Sequence, residues 1–449
     1  MVSQFTIFAL SSGHPPAGLA VIRVSGENAA TSIEALTSRK ADISRALVRA
    51  NIHRPYAPSE VIDDGLFVWF KGPNSFTGED CVEFHVHGGR AVIAAVLAAL
   101  ETFENYRMAE PGEFTRRAFD NGKLNLSEAE GLADLIAART EAQRRQALRQ
   151  LEGGLGRQCL VWRETLKKAL AHMEATIDFS DEDLPDTLDS GARDVLESVR
   201  GDIASALSDG GRGESIRDGI SVAIIGPPNA GKSSLLNLLA QREAAIVSKH
   251  AGTTRDIIEV HLDLGGFPVI LSDTAGIRTT EDEIEKEGVR RAQDVAHGAD
   301  LCLVIFDGES WPDVDSSLQE YLAETARPSI GIVNKVDLLN QSHRFSLNSH
   351  DLFAISVKTG AGIDGFMEAL EAALNDHYGD TEEALVTRLR HRESLASCVE
   401  YLARALTVSG SELWAEDLRL AMRELGSVVG QVGVEDLLDV IFSEFCIGK

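Results

Sequence analysis

An apolar strand that runs straight into a glycine-bracketed lysine loop leaves a chain few ways to fold. Here Ser221-Val222-Ala223-Ile224-Ile225 leads into Gly226-Pro-Pro-Asn-Ala-Gly231-Lys232-Ser233, and Leu235, Leu236, Leu238 and Leu239 follow at helical spacing. Strand, G-x4-GK[ST] and helix in that order is the context of a P-loop, and alternating strands and helices around it imply an α/β unit with a parallel sheet. The glycines let backbone N–H groups turn inward around phosphates, and the helix N-terminus adds the positive end of its dipole. Lys232 is then expected at the β- and γ-phosphates, and Ser233 as a Mg²⁺ ligand. Asn229, Ala230, Gly231 and Ser234 complete the expected phosphate cradle.

Three further motifs follow in order. Asp273-Thr274-Ala275-Gly276 comes after a predicted strand at 268–271. Its carboxylate suits the Mg²⁺ shell, and the Gly276 N–H suits the γ-phosphate. Asn334-Lys335-Val336-Asp337 comes after a predicted strand at 329–333. An Asn-Lys-x-Asp in this place resembles the guanine-reading motif of translation-factor-like GTPases. Asp337 would accept from the guanine N1–H and exocyclic amine, a pattern that adenine does not offer. Ser356-Val357-Lys358 resembles the last base-contacting loop.

Between the P-loop and Asp273 lies Ala251-Gly252-Thr253-Thr254-Arg255-Asp256. Such a loop closes over Mg²⁺ when a γ-phosphate is present, and Thr254 is the expected ligand of the adjacent pair. Many small GTPases place a water-positioning Gln directly after the DTAG-type motif. This chain has Ile277 there. The residues leave open an arginine finger from Arg255 and a carboxylate from the acidic run at 281–287, and each also reads as a solvated charge.

At 449 residues the chain is too long for one core. Short β-like runs at 18–24, 66–70 and 82–86, with a helix over 89–101, predict a small α+β domain up to about 119. From 120 helical periodicity takes over. Ser127 and Glu130 read as a capping box ahead of Leu132, Leu135 and Ile136. Residues 208–219, rich in glycine with Asp, Arg and Ser, read as a linker. Strands and helices alternate from 220 to about 374, and only helical pattern appears from 382 to 445. The expected fold class is multidomain: a P-loop α/β G domain at 219–378, inserted in an all-α helical domain at 120–218 and 379–449, preceded by an α+β domain at 1–119.

The net charge of −27 excludes a protein whose whole surface grips nucleic acid, though not a local basic patch. Cys81, Cys159, Cys302, Cys398 and Cys446 are scattered with no CxxC pair, so no zinc or disulfide framework is indicated and a reducing cytoplasm is the simplest location. The longest apolar run, 91–100, is far short of the roughly 18 residues of a membrane span. The first residues lack the positive n-region of a signal peptide. Glu83, His85 and His87 alternate along one strand and mimic a metal site, but a polar strand face is the simpler reading. Cys446 sits where a prenylated cysteine would, a pattern that Gly448 and Lys449 do not fit.

The G domain resembles a group of GTPases that lack the Gln, among them the Era, EngA and MnmE families. The flanks decide among them. Asn74-Ser-Phe-Thr-Gly-Glu79-Asp80 with Glu83 and His87-Gly88-Gly89, Pro111-Gly-Glu-Phe-Thr-Arg-Arg-Ala118, Lys123-Leu-Asn-Leu, and Cys446-Ile-Gly-Lys449 together resemble the MnmE (TrmE) family over the whole chain. The resemblance implies a homodimeric, potassium-activated GTPase. With the FAD-containing partner MnmG it would install an aminomethyl-type group at carbon 5 of the wobble uridine of tRNA, using a one-carbon unit from 5-formyl- or methylene-tetrahydrofolate. Arg23, Glu79 or Glu83, Lys123 and Lys449 match positions linked to the folate. Asn229, Ser248, His250 and Thr253 match the potassium site, in a loop that here reads Ser248-Lys249-His250. Glu285 matches the residue that orients the hydrolytic water, and Cys446 the cysteine needed for modification. The rival reading is a ribosome-assembly GTPase of the Era or EngA type, for which a basic RNA-binding module would be expected.

Overall fold

The computed structural model describes residues 5–42, 44–178, 187–209, 211–242, 259–273, 298–324, 327–339, 345–347, 350–379, 385–408, 411–432, 435–443, 445, 447 and 448. They form two compact units, one of residues 1–133, 156–160 and 425–449, the other of residues 134–155 and 161–424.

The first unit is built on six strands: β1 (Thr6–Leu10), β2 (Ala17–Ser25), β3 (Val48–Arg54), β4 (Ala57–Phe70), β5 (Cys81–Gly88) and β6 (Tyr106–Met108), in the order β3-β4-β5-β2-β1-β6. Strict alternation along β2 and β5 sets the two faces. Ala20, Ile22, Val24, Val82, Phe84 and Val86 turn to one side and form a core with Ile33, Leu36, Val96 and Leu100 of the helices Thr31–Thr37 and Arg90–Glu101. Arg23, Glu83 and His85 are left on the other side. There Ile7 and Ala9 pack with Phe114 of the helix Glu113–Asp120. Three segments read as β-like are strands, but β1, β3 and β6 lie outside those readings.

The helix Leu126–Ala137 begins two residues earlier than its sequence suggests. Asn125 Oδ1 accepts from Glu128 N at 2.9 Å, and Glu128 Oε2 accepts from Asn125 N at 2.8 Å. The capping box is therefore Asn125–Glu128, not Ser127–Glu130. Ser127 instead donates to Asn125 Oδ1 at 2.7 Å, and Glu130 is buried. The helix Glu435–Ser443 completes this unit through Leu438 and Phe442, which pack with Phe119, Leu126 and Ala129.

In the second unit β7 (Ile220–Ile225), β8 (Glu259–Leu264), β9 (Phe267–Asp273), β10 (Leu301–Asp307), β11 (Ser329–Asn334) and β14 (Phe353–Ala354) form a sheet of order β14-β11-β10-β7-β9-β8. β12 (Ser346–Leu347) and β13 (His350–Asp351) form a separate small hairpin. Only β8 runs antiparallel to its neighbour. β7 is central, and the strand order reverses beside it, which places the loop after β7 at the crevice where α/β sheets bind ligands. The helices Gly154–Asp178, Thr187–Leu207, Leu389–Thr407 and Ser411–Val428 bear out the helical pattern on both sides of the sheet in sequence.

Residues 208–219 are not a slack linker. They contain the helix Arg212–Asp218, and Ile216 is buried in the same core as Ile220, Leu264 and Phe366. Arg392 clasps this segment by donating to Asp209 at 2.8 Å and to Glu214 at 3.0 Å. Asp134 accepts from both Arg217 at 3.1 Å and Arg388 at 2.7 Å. The chain is thus tied down just before β7 and just before the helix Leu389–Thr407.

Candidate functional site

The loop ends at the C-terminal edge of the second sheet converge. Gly226 is required there by crowding, since a Cβ would stand 2.4 Å from Ile305 O of β10. Asn229 (φ +62) and Gly231 (φ +102) take left-handed conformations that turn the loop into the helix Lys232–Arg242. Lys232 Nζ donates to Gly226 O at 2.8 Å and Pro227 O at 3.0 Å, folding back over the loop it serves. Ser233 and Ser234 occupy the first turn of that helix.

Asn334 joins three loops. Its Nδ2 donates to Ala230 O at 2.8 Å, and its Oδ1 accepts from Val357 N at 3.1 Å, with the side chain buried. The P-loop, the Asn334–Asp337 turn and the 356–358 loop are therefore one hydrogen-bonded body. Asp337 Oδ1 accepts from the buried Ser356 hydroxyl at 2.6 Å. That bond fixes the carboxylate plane and commits one oxygen. Lys335 (φ +65) donates to Asp307 Oδ2 at 2.7 Å. This hydrogen bond holds the Lys335 ammonium above the usual lysine value. Asp307 went unnoticed in the sequence, although it ends an apolar strand and is the register partner of Asn334.

Asp273 ends β9, paired with Ile224 of β7, so its main chain borders the P-loop. Thr274, Ala275 and Gly276, the loop Ser248, Lys249, His250, Ala251, Gly252, Thr253 and Thr254, and Glu285 all lie outside the described residues. Asn229 is the one expected potassium ligand within them. It is exposed, with no hydrogen-bond partner among the described residues.

In the first unit the residues of the N-terminal motifs gather into two polar clusters. Arg23 donates to Glu83 at 3.0 Å across the β2–β5 pair, and its guanidinium lies 5.5 Å from the Phe76 ring and 5.7 Å from the Phe114 ring. His85 Nε2 stands 3.5 Å from Glu83 and has no hydrogen-bond partner among the described residues. His87 is drawn away by Asp63 at 2.8 Å, and no group of three metal-ligating side chains is found among the described residues.

The second cluster centres on Arg117, which is buried. It donates to Glu79 at 2.9 Å, Glu113 at 3.0 Å and Phe5 O at 2.9 Å. Glu79 also accepts from Ser25 at 3.0 Å. Both bonds to Glu79 thus fall on its Oε2, while Glu83 takes Arg23 on Oε1 and has the His85 ring beside Oε2. Lys123 donates to Pro73 O at 2.8 Å, lashing the 121–123 turn to the loop that carries Glu79. Arg117 was not singled out in the sequence. It sits inside the Pro111–Ala118 motif, but nothing in that pattern distinguishes a buried arginine from a wet one. Cys446 and Lys449 lie outside the described residues.

With both sites placed, residues 6–123 match the family "GTP-binding protein TrmE N-terminus" and residues 126–446 match the family "MnmE helical domain". Curated proteins called "tRNA modification GTPase MnmE" align end to end. That of Rhodopseudomonas palustris strain BisB18 is 51% identical, with 99% of each chain covered. That of Parvibaculum lavamentivorans is 52% identical, covering 99% of this chain and 100% of its own. The G domain of the T. maritima FeoB iron transporter is 24% identical over 35% of this chain and 98% of its own, with a TM-score of 0.27, too low to bear on the assignment.

Proposed function

The chain belongs to the MnmE family of tRNA modification GTPases, and from that premise we propose that it hydrolyses GTP to drive, with an MnmG partner, the modification of tRNA wobble uridine at carbon 5. The observation that carries the reading is the single body formed by Ala230, Asn334, Val357, Ser356 and Asp337 at the mouth of the P-loop. A site built in this way reads a base and holds a triphosphate in one register. The chain has three domains in this reading: an α+β domain at 1–119, a helical domain at 120–218 and 379–449, and the G domain at 219–378.

Lys232 and the P-loop amides hold the phosphates, and Ser233, Asp273 and Thr254 would hold Mg²⁺, which neutralises charge on the β- and γ-oxygens. The exposed side chain of Asn229, without a hydrogen-bond partner among the described residues, fits a monovalent-cation ligand. A potassium ion held there with Ser248, His250 and Thr253 would supply positive charge where other GTPases use an arginine. Glu285 orients water, and pairing of two G domains closes the 248–254 loop. In the N-terminal unit Arg23, Glu83 and His85, walled by Phe76 and Phe114, fit a tetrahydrofolate with its aromatic ring and acidic tail. Glu79 or Glu83 is the acidic contact, with Lys123 and Lys449 completing the set. Cys446 serves the modification step. The protein acts as a homodimer in the cytoplasm, and no helix among the described residues is long and apolar enough to cross a membrane.

The test is mass spectrometry of bulk tRNA nucleosides from cells lacking the gene. Loss of the carbon-5 modification, restored by wild type but not by Cys446→Ser, supports the reading. Unchanged nucleosides with misassembled ribosomal subunits would return the ribosome-assembly class.

A further inference from the structure

The segment around Gly448 is held by contacts that the nucleotide chemistry does not use. Gly448 is buried with φ +99, and a Cβ there would stand 2.1 Å from Leu10 O and 3.1 Å from Ser11 Cα. Its carbonyl accepts from Ser11 Oγ at 2.8 Å. Ile447 forms an antiparallel bridge with Pro111. Just before it Phe445 is buried with Phe442, their ring centroids 5.8 Å apart. Gly112 (φ +68) lets the chain pass so close to Phe442 that a Cβ would lie 2.3 Å from its carbonyl oxygen.

Ser11 is itself fixed. Its N–H donates to Val21 O at 2.8 Å, and Val21 lies on β2 two residues before Arg23. Segments at the edge of a unit stay poorly ordered unless tied down. The apolar packing of Phe442 and Phe445 would by itself hold the preceding helix. The hydroxyl bond and the glycine that admits no side chain do something more specific: they fix the main chain of residues 447 and 448 against the end of β1.

We propose that Ser11 and Gly448 are positioning residues for the tRNA modification step. They fix the main chain of Ile447 and Gly448 on the sheet that carries Arg23 and Glu83, and the modification step, which the family reading gives to the neighbouring Cys446, depends on that anchorage. Ser11 and Gly448 act through the main chain and touch no substrate. The inference rests on the reading that the Cys446 stretch serves modification.

Carboxypeptidase B, which removes a terminal lysine, tests it on the full 449-residue chain. Cleavage after Gly448 requires Gly448 to leave its seat, so the rate of Lys449 loss, followed by mass spectrometry, reads the pinning. Gly448→Ala and Ser11→Ala should lose Lys449 about tenfold faster than wild type, because local opening governs proteolysis of a folded chain. GTP turnover and the melting midpoint should be unchanged. In a reconstituted reaction with the partner and tRNA, kcat for modification should fall while KM for tRNA holds. Ser11→Thr, which keeps the hydroxyl, should restore both readouts. Unchanged Lys449 release in the Ala variants overturns the pinning. Faster release with undiminished modification overturns the positioning role. A chain cut after Phe445 that still modifies tRNA sinks the functional reading itself. An inactive cut chain beside an active Gly448→Ala sinks the positioning role alone.

Discussion

Asn334 donates its side-chain amide to the carbonyl oxygen of Ala230 at 2.8 Å, tying the base-reading turn directly to the phosphate loop. Its other amide atom takes the Val357 N–H, so the residue spends its polar capacity on the frame of the site rather than on the base alone. Asn334→Ala leaves a buried donor and a buried acceptor unpaired. We expect it to destabilise the G domain by about 1–3 kcal/mol and to weaken GTP binding together with it. Denaturant midpoints and a nucleotide titration on the same preparation check this. An unchanged midpoint with weakened binding would make Asn334 a base contact and not a staple.

Asp337 presents the carboxylate that Ser356 orients at 2.6 Å. One oxygen is held by that hydroxyl, and the other remains for the N1–H and exocyclic amine of guanine. Asp337→Asn replaces an acceptor with a donor and removes the charge assistance. GTP binding should weaken by roughly 2–4 kcal/mol, and xanthosine triphosphate should be partly accepted instead. Equal GTP affinity for variant and wild type in a titration would end the base-reading assignment. Ser356→Ala should give a smaller loss of the same sign, since the carboxylate stays but its orientation does not.

The G domain was legible because its apolar strands, such as 221–225 and 329–333, are continuous and each delivers a motif at its end. The rest failed for local reasons. Two capping templates overlap at 125–130, and the overlap is resolved by Leu126, which is buried at the helix start and moves the cap to Asn125. Glycines around 210–213 read as slack, but Ile216 anchors the segment in the core. β6 is three residues long, and β4 begins with the exposed, non-alternating run 57–61, so neither carried a period-two signal. Within the site, the motif residues were readable one by one. Their partners Asp307, Ser25 and Arg117 were not, because pairing across strands and loops has no sequence spacing.

Glu113 gives the first unit a pH dependence. Burial by itself raises its carboxyl, but donation from Arg107, the Glu110 N–H and Arg117 outweighs this and leaves it below the usual 4.5. A carboxylate with a depressed folded value contributes stability that is full above its unfolded value and lost as pH falls through the folded one. Glu113→Gln should therefore be less stable than wild type by a constant margin from pH 6 to pH 8, roughly 1.5 units clear of the unfolded carboxylate value. The margin should shrink once pH drops below 4.5. Thermal midpoints across that range check it. A margin that persists to the acid limit would mean that the loss comes from shape and hydrogen bonding, with no part from ionisation.

Hydrolysis without a Gln needs charge neutralisation from elsewhere. An arginine finger is worth about 10³–10⁵ in rate where one exists. Arg255 is the nearest residue in sequence that could act so. Asn229, however, stands exposed in the P-loop with a left-handed backbone, its side chain uncommitted among the described residues. An amide oxygen there suits a monovalent cation, and a potassium ion at that place would stand in for the finger. We expect strong stimulation of phosphate release by K⁺ and weak stimulation by Na⁺, whose smaller radius suits a tighter cage. Asn229→Ala should lose the potassium response while still binding nucleotide. Glu285→Ala should keep both nucleotide binding and ion response but lose turnover. Steady-state phosphate release in potassium and sodium buffers of equal ionic strength, at fixed Mg²⁺ and protein concentration, decides the matter. Equal rates in the two salts would remove the ion from the mechanism, and Arg255→Ala would then be the variant expected to abolish turnover.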